Sequence, residues 1–234
     1  MPTYFLPDGY RSNTTAPTIE AAFGDYWNAE RIAKSLDYQH DVYAAARALA
    51  DRHQLTTVAD FGCGVATKLD HFLGHLHPAG FDQPTLGPHI RSAHPRVAFR
   101  PIDLENPELY LSDADHFDLT ICCDVIEHLL DPDPALEALR THTGRFVILS
   151  TPERDLTRGP GAVRCEKPEH VREWNQDEFA AYIRSRGFAV LEHSLVPKER
   201  LSDEEHAERE RCAAPTPAQA RRWHGCQLVI AAPR

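Results

Sequence analysis

The stretch Val58-Ala59-Asp60-Phe61-Gly62-Cys63-Gly64-Val65-Ala66-Thr67-Lys68, VADFGCGVATK, places a short apolar run, an acid and two glycines side by side. The apolar run reads as a buried strand, Gly62 and Gly64 as a turn stripped of Cβ atoms, and the residues from about Ala66 as the start of a helix. In α/β proteins a ligand lies against such a strand-to-helix turn, where glycine lets it approach the backbone. The dinucleotide fingerprint GxGxxG needs a glycine at position 67, where this chain has Thr67. The order here is Asp-x-Gly-x-Gly-x-Ala.

Downstream of this turn, AGFD, RVAFRPID, FDLTICCD and GRFVILST read as further short strands, with helix-like segments such as PALEALRTH between several of them. Alternation of strand and helix predicts a parallel sheet with right-handed crossovers. FAVLEHSLV and CQLVIAAP read as two last strands, the first following the helical segment NQDEFAAYIRSRG. The charged, proline-bearing KERLSDEEHAERERCAAPTPAQARR between them reads as a solvated loop or surface helix. Upstream, Tyr26 to Arg52 shows apolar positions three and four apart and predicts a helix, and residues 1–25, rich in Pro, Thr and Gly, predict an irregular lead-in.

A chain of 234 residues with 42% hydrophobic residues can bury a full core, so one domain is expected. It divides into a lead-in and helix over 1–52 and the main body over 53–234. A formal net charge of −10 opposes attraction to phosphate backbones, so no nucleic-acid partner is expected. No apolar run approaches the roughly 20 residues that span a bilayer, and the opening MPTYFLPDGYRSN lacks the succession of a signal peptide. The expectation is a soluble, cytoplasmic protein with no membrane contact. Six cysteines without a CxxC pair predict reduced thiols. Among fourteen histidines, His71, His75 and His77 stand close together, but no acidic or cysteine ligand completes a set there, so no metal is expected.

Asp82 lies eighteen residues past Gly64 at the expected end of the second strand, where doubly wound folds place an acid that holds ribose hydroxyls. Asp103 is expected to end the third strand and Asp124 the fourth. Four acids thus gather at one edge of the sheet.

These residues resemble the S-adenosylmethionine-dependent methyltransferases of the seven-stranded Rossmann-like type, over roughly Tyr26 to Pro233, with VADFGCG similar to their first motif. The resemblance implies a doubly wound α/β fold: a mostly parallel seven-stranded sheet, helices on both faces, and an antiparallel last strand. It implies S-adenosylmethionine as cofactor. Asp60, Gly62, Cys63 and Gly64 would approach its methionine part, Asp82 with Gln83 the ribose, Asp103 with Leu104 the adenine, and Asp124 with Val125 the space below the sulfonium. Ala66 departs from the family, which usually has a third glycine there.

A narrower resemblance lies in STPERDLTRGPGAVRCEKPEHVREWNQDEF, similar to methyltransferases of surface-polysaccharide and natural-product pathways. It is carried by Thr151 to Asp155, Arg158-Gly159 and His170 to Trp174, and it implies a sugar-like or similarly polar small acceptor. YQHDVY, with Tyr38 and Gln39, resembles the lid over the cofactor in that group.

Methyl transfer to oxygen draws on proximity and alignment, with a base for a hydroxyl that is not acidic. His128 and His170 are the candidate bases, because histidine titrates near neutrality. Glu127, Arg158, Arg172, Glu173 and Trp174 are the expected acceptor-binding residues. N-methylation, carboxyl methylation and a non-catalytic partner subunit remain alternatives, and a homodimer is allowed. A nicotinamide-dependent oxidoreductase would need GxGxxG and a hydride-transfer pair, which the sequence lacks.

Overall fold

The computed structural model describes residues 4–14 and 26–234. Strands β1 (Val58–Phe61), β2 (Ala79–Asp82), β3 (Ala98–Pro101), β4 (Phe117–Cys123), β5 (Thr143–Pro152), β6 (Phe188–Val196) and β7 (Cys226–Pro233) form one sheet in the order β3-β2-β1-β4-β5-β7-β6. Only β7 runs antiparallel to its neighbours, β5 and β6; the other pairs are parallel. All four residues of β1 are buried, as a central parallel strand covered on both faces requires.

Successive strand residues feed two separate cores. Val58, Ile121, Ile148 and Leu228 face one, with Val42, Ala46 and Leu49 of helix α2 (His40–His53) and Leu69 of α3 (Thr67–Leu73). Ala59, Cys122, Leu149 and Val229 face the other, with Leu136 and Leu139 of α5 (Asp133–His142) and Phe179 and Ile183 of α7 (Gln176–Ser185). The short α4 (Gly87–Ala93) adds Ile90 to the first core. Helix starts follow local chemistry: Asn175 and Glu178 close a reciprocal capping box on α7. Ser202 and Glu205 do so on α8 (Asp203–Arg211), and Thr216 and Gln219 on α9 (Pro217–His224). The charged segment before β7 is therefore two surface helices.

Two expectations are corrected. The helix read over Tyr26 to Arg52 is two helices, α1 (Ala29–Ala33) and α2, parted by a loop in which Gln39 has φ +48. Tertiary ties override the helical pattern there: the Gln39 backbone N–H donates to Lys198 O at 2.9 Å, and Tyr38 bridges to Glu199. Asp103 does not end the third strand, which stops at Pro101. Its carboxylate accepts from the Glu105 N–H and the Asn106 amide, closing a turn of its own.

The part of the lead-in over residues 4–14 is irregular but fastened; the rest lies outside the described residues. The Arg11 N–H donates to Val163 O at 2.7 Å and the Asn13 N–H to Val171 O at 2.9 Å, so this segment straps the loop before α7. Among the described residues no helix is long and apolar enough to cross a membrane.

Candidate active site

Because β1 is parallel to β2 on one side and β4 on the other, all three strands end at one edge, and the strand order reverses between β1 and β4. Open α/β sheets form their ligand crevice at that reversal. The turn after β1 tolerates no side chains. Gly62 has φ +93, and a Cβ there would meet Val125 Cγ2 at 2.3 Å; at Gly64, φ +57, it would meet Trp27 Cη2 at 2.8 Å. The Cys63 thiol between them is buried, and burial raises its pKa.

Two acids flank this turn. The Asp82 carboxylate accepts the Gly64 and Gln83 N–H groups, each at 2.7 Å, which ties the end of β2 to the glycine turn. Asp60 is fully buried: one oxygen accepts from the Tyr43 hydroxyl at 2.7 Å and the other has no partner among the described residues. Burial pushes Asp60 up to about 7 and Asp82 up to about 6. Burial also lowers the pKa of Lys68, whose ammonium donates to Ser35 O at 3.3 Å. An orphaned buried oxygen next to a bare turn fits a ligand that brings a cationic group and hydroxyl donors.

Asp124 follows β4 with φ +52, and its carboxylate joins three segments. It accepts from the Gln39 amide at 2.8 Å and the Ser150 hydroxyl at 2.7 Å, so the loop before α2 is fastened to the crevice. Asp103 lies exposed, and Leu104 is part of the second core.

Beyond Asp124 the 3₁₀ turn Ile126–His128 turns polar groups inward. Glu127 is fully buried, with both carboxyl oxygens unpartnered among the described residues, and burial with the charge of Asp124 raises its pKa well above the usual carboxylate range. The His128 and His170 rings meet edge to face, centroids 4.6 Å apart. His128 Nδ1 lies 2.8 Å from Glu169 O, and a carbonyl can only accept, so Nδ1 carries the proton. His170 Nδ1 lies 2.6 Å from the Glu173 carboxylate, which Arg158 grips through two further bonds of 2.9 and 2.8 Å. The His170 and Arg158 bonds hold the Glu173 pKa far down, so Nδ1 of His170 is a donor too. Burial pushes His128 down to about 3 and lowers His170, so both rings are neutral near pH 7. Neither Nε2 makes a hydrogen bond among the described residues.

The structure thus brings Gln39, Asp60, Gly62, Gly64, Asp82, Asp124 and Val125 to the crevice, and Glu127, His128 and His170 together beside it. Arg158 and Glu173 stand behind His170. Arg172 donates to the Leu129 and Leu130 carbonyls and stacks over Tyr4, and Trp174 is wholly buried against Tyr182 with its N–H on Tyr4 O. Both serve the packing of the loop. Sequence reasoning passed over Tyr43, hidden in an apolar helix face, and Lys68, which closes the quoted stretch. It also passed over Asn13, whose amide donates to His170 O at 2.8 Å; no short-range pattern marks such a contact.

The methyltransferase domain family matches residues 35–193. No curated protein matches the chain by sequence. A chain of the complex between the Haloferax volcanii Trm112 methyltransferase activator and a putative methyltransferase is similar in structure. The TM-score is 0.65 at 15% identity, over 94% of this chain and 100% of that one. The Burkholderia thailandensis 1,6-didemethyltoxoflavin-N1-methyltransferase, solved with its substrate and S-adenosylhomocysteine, gives 0.62 at 16% identity, over 92% of this chain and 87% of that one. The [4+2]-cyclase SpnF gives 0.62 at 15% identity, over 93% and 97%. At such identities these likenesses speak to the fold alone.

Proposed function

Since this chain belongs to the methyltransferase domain family, we propose that it methylates a hydroxyl of a polar, sugar-like small molecule held at Glu127, His128 and His170. Methyltransferase activity with S-adenosylmethionine as cofactor comes with the family. The acceptor and the residue roles are the proposal.

The buried Asp60 oxygen without a partner among the described residues and the bare Gly62-Cys63-Gly64 turn suit a cofactor that carries an ammonium and a ribose diol. Asp82 has acceptor capacity left after its two backbone bonds, because a carboxylate offers about four lone-pair positions. Tyr38 and Gln39 close the crevice from the lid side, with Gln39 held by Asp124. When bound, S-adenosylmethionine supplies a methyl group on a cationic sulfur.

One observation carries the acceptor reading: one ligand atom each of Glu127, His128 and His170 lies within 4.8 Å of the others, beside the end of β4. His170 is the better base. Glu173 stabilises the imidazolium formed when Nε2 takes the acceptor's hydroxyl proton, and Arg158 keeps Glu173 ionised and in place. His128, pushed down to about 3, is too weak a base and orients the hydroxyl instead.

The test is transfer of labelled methyl from S-adenosylmethionine to a panel of polyols, glycosides, amines and carboxylic acids, with His170→Asn alongside wild type. The account expects a hydroxyl acceptor, and turnover lowered by roughly 10²–10⁴ in the variant with cofactor affinity unchanged. Methylation confined to amines or carboxylates would contradict it.

A further inference from the structure

We infer that Glu127, His128 and His170 form a binding site for a divalent transition-metal ion, open on its remaining side to an oxygen of the acceptor. Two imidazoles and one carboxyl group are a donor set that suits Zn²⁺, Co²⁺ and similar ions, and three protein ligands leave positions for an exogenous oxygen.

The orientation of the rings carries most of the argument. A histidine that binds a metal through one nitrogen characteristically donates its other N–H to a carbonyl or carboxylate, which fixes the tautomer and aims the lone pair. Both histidines do this through Nδ1, His128 to Glu169 O and His170 to Glu173, and both leave Nε2 without a hydrogen bond among the described residues. His170 is fixed further by Asn13 on its carbonyl and by Arg158 behind Glu173.

Glu127 supplies the second observation. A fully buried carboxyl group whose two oxygens find no partner among the described residues costs folding free energy unless something compensates it. It makes no ion pair among the described residues; Lys167 acts on it only through the field. One ring nitrogen each of His128 and His170 lies within 4.8 Å of a Glu127 oxygen, so a divalent cation would compensate this group and take both imidazoles at once. Ligands of an ion with bonds of about 2.1 Å sit about 3–3.4 Å apart, so donor atoms that lie within 4.8 Å of one another need close by no more than about 1.8 Å.

Neighbouring donors do not compete. Asp124 is engaged by Gln39 and Ser150. The set Cys165, His170 and Glu173 also clusters, but there Glu173 is held by Arg158 and His170 presents its protonated nitrogen.

With an ion bound, the two lone pairs are committed to it, and the ion takes over from His170 the task of making the acceptor hydroxyl acidic. That consequence rests on the hydroxyl reading above, whereas the site itself does not. The experiment therefore reads metal binding without turnover. Chelator-stripped protein is titrated with Co²⁺, followed by its visible absorption, in wild type, Glu127→Gln, His170→Asn and a surface control, His71→Asn. One equivalent bound by wild type and by the control, with affinity at least 10-fold weaker in each of the other two variants, is expected. X-ray absorption of wild type at one equivalent of Zn²⁺ needs no variant to fold, and two imidazole ligands are expected there. No binding by wild type, unchanged affinity in both site variants, or fewer than two imidazoles overturns the inference and leaves His170 as the base.

Discussion

The Tyr43 hydroxyl donates to the Asp60 carboxylate at 2.7 Å inside the protein, so the acid near the end of β1 is anchored by the helix lying over it. Burial pushes Asp60 up to about 7, and the Tyr43 bond acts in the opposite direction. Since Asp60 ionises near 4 in an unfolded chain, its contribution to stability is fully present below pH ~4 and is lost as pH rises through about 7. Asp82, up to about 6, adds to the same trend.

Removing the hydroxyl should leave Asp60 without a donor. Tyr43→Phe is expected to destabilise the protein by about 1–3 kcal/mol and to move the pH at which stability falls upward. Thermal unfolding between pH 4 and 8 checks both; a variant whose profile overlays wild type would show that the bond plays no part in setting Asp60.

Gly62→Ala combines a forbidden backbone angle with a collision, since φ is +93 and the new methyl would meet Val125 Cγ2 at 2.3 Å. It should destabilise by more than about 1 kcal/mol. Adding Val125→Ala relieves the collision but not the backbone strain, so the double variant should recover only part of the loss in a denaturant titration. Full recovery would mean that the φ is unimportant.

Asn13 ties the lead-in to the carbonyls of Lys167 and His170, at 3.3 and 2.8 Å. Loosening that loop should disturb the acceptor side and spare the cofactor side. Asn13→Ala is expected to raise the acceptor's KM several-fold with S-adenosylhomocysteine affinity unchanged, as measured by initial rates and calorimetry. Equal loss on both sides would point to a general stability effect.

The strands were the legible part of this fold. Apolar runs bounded by turn residues place β6 and β7 at Phe188–Val196 and Cys226–Pro233, the segments read from the sequence. The glycine turn is legible for a related reason, because side chains are missing where a backbone must stay bare. What stayed hidden was set at long range. Gln39 breaks a helical pattern because Lys198 and Asp124 hold it, and Asn13 contacts residues more than 150 positions away. Trp174 and Arg172 stand out in HVREW, yet their polar groups go to Tyr4, Leu129 and Leu130, a choice made by packing. The histidine pair shows the same limit from the other side. His71, His75 and His77 drew attention by their spacing, while His128 and His170, forty-two residues apart, meet only in the fold.

The central claim is that the cofactor sits where β1, β2 and β4 end, with Asp82 as a direct contact. Calorimetric titration of S-adenosylhomocysteine into wild type and Asp82→Ala, both shown to unfold cooperatively, tests it most directly. The account predicts one equivalent bound by wild type and affinity about 10-fold to 150-fold weaker in the variant, the loss expected for a hydrogen bond to a charged group. Equal affinity in the two proteins would contradict it.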